Sequence, residues 1–169
     1  MSIRIIDNFI AVDDFKEIQN TLLGPWFPWY FNNDIISPEI TRSESNNLYN
    51  FQFIHTFYKN YAPQSQWVDL INPLIKKLNP LAIFRIKANL NTFKNKNFHY
   101  GFHVDNDFEK ITSGIYYINT NNGKTVFKDG TEIDAVENRL VLFNSQTEHS
   151  GMSCTDQKSR CVINVNIIE

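Results

Sequence analysis

At 169 residues, with 42% hydrophobic and 20% charged side chains, the chain has the size and composition of one folded domain and lies far from the profile of a disordered protein. A formal charge of −2 and a pI near 6.1 exclude a broad electrostatic pull toward nucleic acid or an anionic membrane, so partner choice must come from a local site. The two cysteines form no CxxC pair and are too few for a disulfide framework, and no apolar run approaches the roughly 20 residues of a membrane helix. With no signal-like stretch after Met1, the expectation is one soluble, cytoplasmic domain over residues 1–169.

The first 80 residues or so read as scaffold. A short strand at Ile3 to Ile6 precedes a helix opened by Asp13-Asp14, whose Phe15, Ile18, Leu22 and Leu23 share one face; Gly24-Pro25 is read as its C-cap and stop. An aromatic segment, Trp26 to Phe31, has the composition of core, and the polar stretch between Phe31 and Asn50 is long enough for a substrate lid. Phe51, Phe53, His55 and Phe57 then alternate with Gln52, Ile54 and Thr56, which predicts a strand with one aromatic face. A second helix is expected from Ser65 to Leu78, kinked or restarted at Pro73.

From Leu81 to the end the pattern changes to alternation. Phe84, Ile86, Ala88 and Leu90 point one way, and Arg85, Lys87, Asn89 and Asn91 the other. Lys94-Asn-Lys96 reads as a solvated loop. Strands are expected at Thr112 to Ile118, Thr125 to Phe127, Arg139 to Phe143 and Arg160 to Ile167, with turns at Asn121-Asn122-Gly123 and Asp129-Gly130. Several short strands in this rhythm predict a mainly β fold, a barrel or double-sheet jelly roll with flanking helices. The frequent asparagines, paired at three places, receive no functional weight.

The stretch His99-Tyr-Gly-Phe-His103-Val-Asp105 carries the chemistry. Residues two apart on an extended chain project to one side, so His103 and Asp105 can bind one cation together. His149 follows the apolar strand Leu140 to Phe143 and can return to the same mouth. Two imidazoles and one carboxylate leave coordination positions open and suit iron(II) better than calcium or magnesium. Eleven residues on, Arg160 opens the last strand, where its planar fork can take a carboxylate bidentately.

An HxD triplet alone is a weak signal, but in this order and setting the chain from about Leu81 to Ile167 resembles the 2-oxoglutarate and iron(II) dependent dioxygenases, prolyl hydroxylase-like branch. That resemblance implies a double-stranded β-helix (jelly roll, cupin-like) core, with Fe(II) on His103, Asp105 and His149 and 2-oxoglutarate on Arg160. It further implies that Tyr117, the second tyrosine of Ile115-Tyr-Tyr-Ile-Asn119, bonds the same carboxylate, that Tyr100 is an active-site aromatic, and that Asn89 or Asn91 reaches the co-substrate. The implied reaction consumes O2 and hydroxylates a C–H bond with release of succinate and CO2, and Asp105 disfavours the halide-binding variant.

The substrate is expected to be a protein or peptide side chain such as proline. A free amino acid or other small molecule is the alternative; nucleic acid is disfavoured, and a non-catalytic jelly-roll binding module is the reading from outside enzymology. His55 reads as a packed core histidine and His99 as a loop residue. Of Tyr116 and Tyr117 only one can point inward, and Cys154 and Cys161 read as ordinary thiols.

Overall fold

The computed structural model describes residues 2–36, 49–106, 108 and 110–169. In chain order the strands are β1 (Arg4–Ile6), β2 (Tyr30–Asn32), β3 (Gln52–Lys59), β4 (Ala62–Pro63), β5 (Ala82–Thr92), β6 (Thr112–Tyr117), β7 (Asn121–Phe127), β8 (Glu132–Ala135), β9 (Leu140–Asn144), β10 (His149–Gly151) and β11 (Ser159–Ile168). The large sheet runs β1-β9-β6-β11-β5-β3-β2, antiparallel throughout, with β4 added to β3; the small sheet runs β10-β7-β8. After β6 the chain crosses to the small sheet for β7 and β8, returns at β9, crosses again at β10 and closes with β11. That double crossing makes the molecule a jelly roll with flanking helices.

Strand alternation decides what each face of the large sheet meets. Cys161, Ile163, Val165, Ile86, Ala88, Tyr116, Leu140 and Leu142 face the helices, joining Phe15, Ile18 and Leu22 of α1 (Val12–Leu22) and Leu74 of α2 (Asn72–Leu78) in one core. The opposite parity faces the small sheet: Val162, Ile115, Tyr117, Val141 and Phe143 pack on Phe127 and Ile133. Tyr116 and Tyr117 are therefore both buried, one in each core. Fully burying a side chain of Phe or Leu size contributes about 1.5–3 kcal/mol, and these two cores gather most of the buried apolar residues.

Several sequence expectations need correction. Gly24 is not a left-handed cap: α1 ends through Leu23 in right-handed geometry, Leu23 is exposed, and a β-carbon on Gly24 would stand 2.7 Å from the Asn20 carbonyl oxygen. The region 65–78 divides into a 3-10 turn, Gln66–Ile71, and α2, with Pro73 in the first turn of the second piece, where its missing N–H costs nothing. Asn121-Asn122-Gly123 is no turn but the start of β7, paired irregularly with β8, and the reversal falls at residues 118–120.

Phe84 leaves the apolar face because a bulge in β5 puts Ile83 opposite Ile167; Phe84 turns outward to meet Phe108. Trp26 is not core but 87% exposed. Lys94 is not solvated: it is buried, its ammonium 4.3 Å from the Phe51 ring centre and 5.0 Å from that of Tyr49. Residues 37–48, the bulk of the suggested lid, lie outside the described residues. Among the described residues no helix is long and apolar enough to cross a membrane.

Candidate metal and co-substrate site

The segment carrying His103 and Asp105 runs antiparallel beside β10 as a fourth, irregular member of the small sheet. Tyr100 donates its amide to Gly151, Ser153 to Phe98 and Asp105 to Ser145, while His103 and His149 exchange both backbone bonds at 3.0 Å. A directly paired couple places its side chains on the same side of a sheet, and the two imidazole centres are 4.6 Å apart. Asp105, two residues on, projects to that side as well.

The nearest donor atoms of His103, Asp105 and His149 lie within 4.8 Å of one another, and these three form the candidate metal cluster of the described residues. Donors about 2.1 Å from one ion on adjacent octahedral positions stand about 3.0 Å apart, so loading asks the widest pair to close by at most about 1.8 Å, within reach of side-chain adjustment. His149 Nδ1 lies 2.9 Å from the Thr147 carbonyl and His103 Nδ1 3.5 Å from that of Gly101. A carbonyl only accepts, so each Nδ1 carries the proton and each Nε2 keeps its lone pair for a cation. Burial, and then the neighbouring His149, bring the His103 pKa down to about 4, leaving the imidazole neutral in ordinary buffers.

Asp105 sits in a closed polar network. Ser113 Oγ donates to its Oδ2 at 2.5 Å, Asn166 Nδ2 donates to the same oxygen at 3.2 Å, and Arg85 Nη2 stands 3.5 Å from Oδ1. Arg85 Nε in turn donates to Asn166 Oδ1 at 3.0 Å, and Asn166 Nδ2 also reaches Ser113 Oγ at 3.0 Å. Burial alone would raise the Asp105 pKa, but His149, Ser113 and Arg85 outweigh it and hold the carboxyl below its ordinary value. The carboxylate is ionised and oriented.

Between the sheets lies a cavity of about 230 Å³ walled by His103, Asp105 and His149, by Arg85, Lys87, Asn89 and Asn91 of β5, and by Arg160, Val162 and Asn164 of β11. Gln52, Ile115 and Thr125 complete much of the remaining wall. Arg160 is 4% exposed; its Nη2 donates to Thr125 Oγ1 at 3.2 Å, and its guanidinium carbon lies 5.6 Å from the centre of the Tyr117 ring. The Tyr117 hydroxyl donates to the same Thr125 oxygen at 2.7 Å, so Tyr117 stands just behind the wall and Thr125 on it.

Arg160 Nε, Asn91 Nδ2, Asn89 Oδ1, Asn164 Oδ1 and the Tyr100 hydroxyl are buried without a hydrogen-bond partner. Unsatisfied buried polar atoms are rare and costly, about 1–3 kcal/mol each, and four of these five belong to residues lining one cavity beside a metal-type donor set. Such an arrangement fits a polar, carboxylate-bearing ligand. Burial pushes the Tyr100 pKa up to about 12, keeping its hydroxyl a donor.

The structure thus brings together His103, Asp105, His149, Arg160 and Asn91, with Tyr100 and Tyr117 immediately behind. His55 is elsewhere: its Nδ1 faces the Pro28 carbonyl at 2.8 Å and its Nε2 the Ser65 hydroxyl at 2.8 Å. His99 is exposed. Sequence reasoning missed Ser113, Thr125, Asn164, Asn166, Arg85, Lys87 and Gln52. Three asparagines stand on the cavity wall: Asn89 and Asn91, which the resemblance implies, and Asn164, which it does not. Parity was the available signal, since 85, 87, 89 and 91 on β5 and 160, 162, 164 and 166 on β11 share the cavity face.

A jelly roll that gathers two imidazoles and one carboxylate between its sheets has the build of a mononuclear non-haem metal enzyme. Residues 88–168, from β5 to the end of β11, match the model of the 2OG-Fe(II) oxygenase superfamily, a match that supports an oxygenase whose reagents are Fe(II), 2-oxoglutarate and O2. In fold it is similar to a prolyl hydroxylase from Trichoplax adhaerens in complex with a hypoxia inducible factor peptide, at TM-score 0.70 and 16% identity over 98% of this chain and 83% of that one. It is also similar to a Pseudomonas putida prolyl-4-hydroxylase, at 0.59 and 15% over 99% and 92%. A third likeness is to SnoN, the non-heme alpha ketoglutarate dependent epimerase of nogalamycin biosynthesis, at 0.63 and 10% over 99% and 77%. No curated protein matches the chain.

Proposed function

We propose that His103, Asp105 and His149 hold Fe(II), that Arg160 receives the distal carboxylate of 2-oxoglutarate, and that the enzyme hydroxylates a substrate C–H bond. The observation that carries this is the mutual backbone pairing of His103 and His149 beside a buried Arg160 whose Nε has no protein partner. Bound there, the metal and 2-oxoglutarate supply the oxidising power: O2 is consumed, 2-oxoglutarate leaves as succinate and CO2, and one oxygen atom ends as hydroxyl on the substrate carbon.

The chain's own share is binding and electrostatics. The Gly101 and Thr147 carbonyls fix the imidazole tautomers. Ser113, Asn166 and Arg85 hold the Asp105 carboxylate ionised. Tyr117 and Arg160 share Thr125, which sets the guanidinium against the end wall, and Asn91 Nδ2 and the Tyr100 hydroxyl offer further donors to the co-substrate. Val162 and Ile115 exclude water from one side.

The substrate reading is a peptide or protein side chain, with proline the leading candidate, supported by the likeness of fold to a prolyl hydroxylase that holds a peptide. The modest cavity of about 230 Å³ favours, as a second reading, a free amino acid or similar small molecule. Iron-dependent succinate release in the presence of proline-containing peptides or metabolite extracts, with a +16 mass change in the responding compound, separates the two. A wild-type protein that releases no succinate from 2-oxoglutarate above the level of Asp105→Ala would defeat the proposal.

A further inference from the structure

Of the two cations that β5 sets on the cavity wall, one has no part in the reaction as described so far. Arg85 and Lys87 stand on β5 with the parity of Asn89 and Asn91, and both line the cavity. Arg85 is committed to Asp105 and Asn166. Lys87 has no hydrogen bond or ion pair among the described residues, although it lines an interior cavity and is only partly exposed. Lys59, opposite Arg85 on β3, extends the positive charge toward the sheet edge.

The charge count of the site is unbalanced. Arg85, Lys87 and Arg160 set three positive charges on the wall against the single negative charge of Asp105. A divalent iron adds two positive charges and 2-oxoglutarate two negative ones, so the loaded cavity still carries an excess of two. Partly desolvated cations without counter-charge are costly, and a wall like this one selects an anion.

The co-substrate is not that anion. Arg160 is paired in register with Asn91, whereas Lys87 is paired with Asn164, four residues along both strands. Four residues of strand span about 13 Å, longer than the five-carbon chain of 2-oxoglutarate. Lys87 is instead the next cavity-facing residue on β5 after Arg85, whose guanidinium reaches Asp105, and so lies toward the metal side of the cavity.

Resting on the hydroxylase reading above, we infer that the substrate bears a carboxylate that seats on Lys87, with Arg85 beside it, close to the carbon that is hydroxylated. Two sources share this chemistry, a free amino or organic acid and the acidic side chain of a peptide.

The test uses the full chain loaded with redox-inert Zn(II) and 2-oxoglutarate, and saturation-transfer NMR against four pools. These are the free L-amino acids, their carboxamides, N-acetylated and amidated peptides with Asp or Glu beside proline, and the same peptides with Asn or Gln. At least one carboxylate should bind, with its amide counterpart at least tenfold weaker, and the pool that responds identifies the source. Lys87→Met should weaken that ligand at least tenfold and Lys87→Arg less than threefold, while the Kd of 2-oxoglutarate shifts less than twofold in both. Amides binding as well as acids, no acid binding at all, an unchanged ligand affinity in Lys87→Met, or an equal loss of 2-oxoglutarate affinity would each overturn the inference. If wild type bound neither Zn(II) nor 2-oxoglutarate, the hydroxylase reading would fail first and take this one with it; if both bind without discrimination, this inference alone falls.

Discussion

A β-carbon added to Gly123 would lie 2.8 Å from Cδ of Arg160. Gly123 is on β7 of the small sheet and Arg160 on β11 of the large one, so the glycine is the gap through which the arginine stem passes toward the cavity. The same β-carbon would stand 2.7 Å from the Met152 carbonyl oxygen, just past the strand that carries His149, so Gly123→Ala should push the guanidinium off Thr125, raise the Kd of 2-oxoglutarate about tenfold and weaken metal binding by a smaller factor. Isothermal titration with each ligand checks this. Overpacking of this kind typically costs about 1–3 kcal/mol of stability, which a melting curve reads separately.

The Asp105 carboxylate receives its shortest hydrogen bond from Ser113. Partners that orient a ligand are worth about 10–100-fold in metal affinity, and Ser113→Ala should weaken anaerobic Fe(II) binding by roughly tenfold. Asn166→Leu should do at least as much, because it also releases Arg85.

His103 is neutral in the fold down to about pH 4, whereas in the unfolded chain it takes a proton near 6.5. Between those values the unfolded state binds more protons, so the metal-free protein should lose stability as pH falls from about 6.5 to about 4. The slope is at most ~1.4 kcal/mol per pH unit from this group, and less because the ring keeps some solvent contact. Burial lowers the His55 pKa as well, against the opposing pull of the Pro28 carbonyl, and works in the same direction. Chemical denaturation across pH 4–8 should show the fall, and His103→Gln should flatten it.

Phe57 is fully buried between the helices and the large sheet, while Trp26 is 87% exposed. Phe57→Ala should cost about 3–5 kcal/mol and Trp26→Ala less than about 0.5, despite the larger side chain removed. Paired denaturation curves decide it.

These contrasts show where sequence was a sufficient guide. Alternation on β5 separated its polar face from its apolar one, and the two-residue spacing of His103 and Asp105 put both donors on one side; that the polar face lines the cavity follows only from the fold. The pairing that brings His149 to His103 was not legible, because β10 is three residues long and has no periodic signal of its own. The same holds for Ser113 and Asn166, 53 residues apart, whose meeting depends on the register of β6 against β11. Local misreadings had local causes. Trp26 and Lys94 were judged by residue type, but burial follows what packs above a side chain, and the Phe84 bulge breaks parity without any glycine to announce it.

In the proposed function, His103, Asp105 and His149 share one iron with a 2-oxoglutarate anchored on Arg160. Anaerobic titration of the protein with Fe(II) and 2-oxoglutarate, read as the weak visible charge-transfer band of the chelate, tests it most directly. The band should appear in wild type only with both present, vanish in His149→Ala, and require far more 2-oxoglutarate in Arg160→Leu. A band of wild-type intensity in His149→Ala, or none in wild type, would contradict the account.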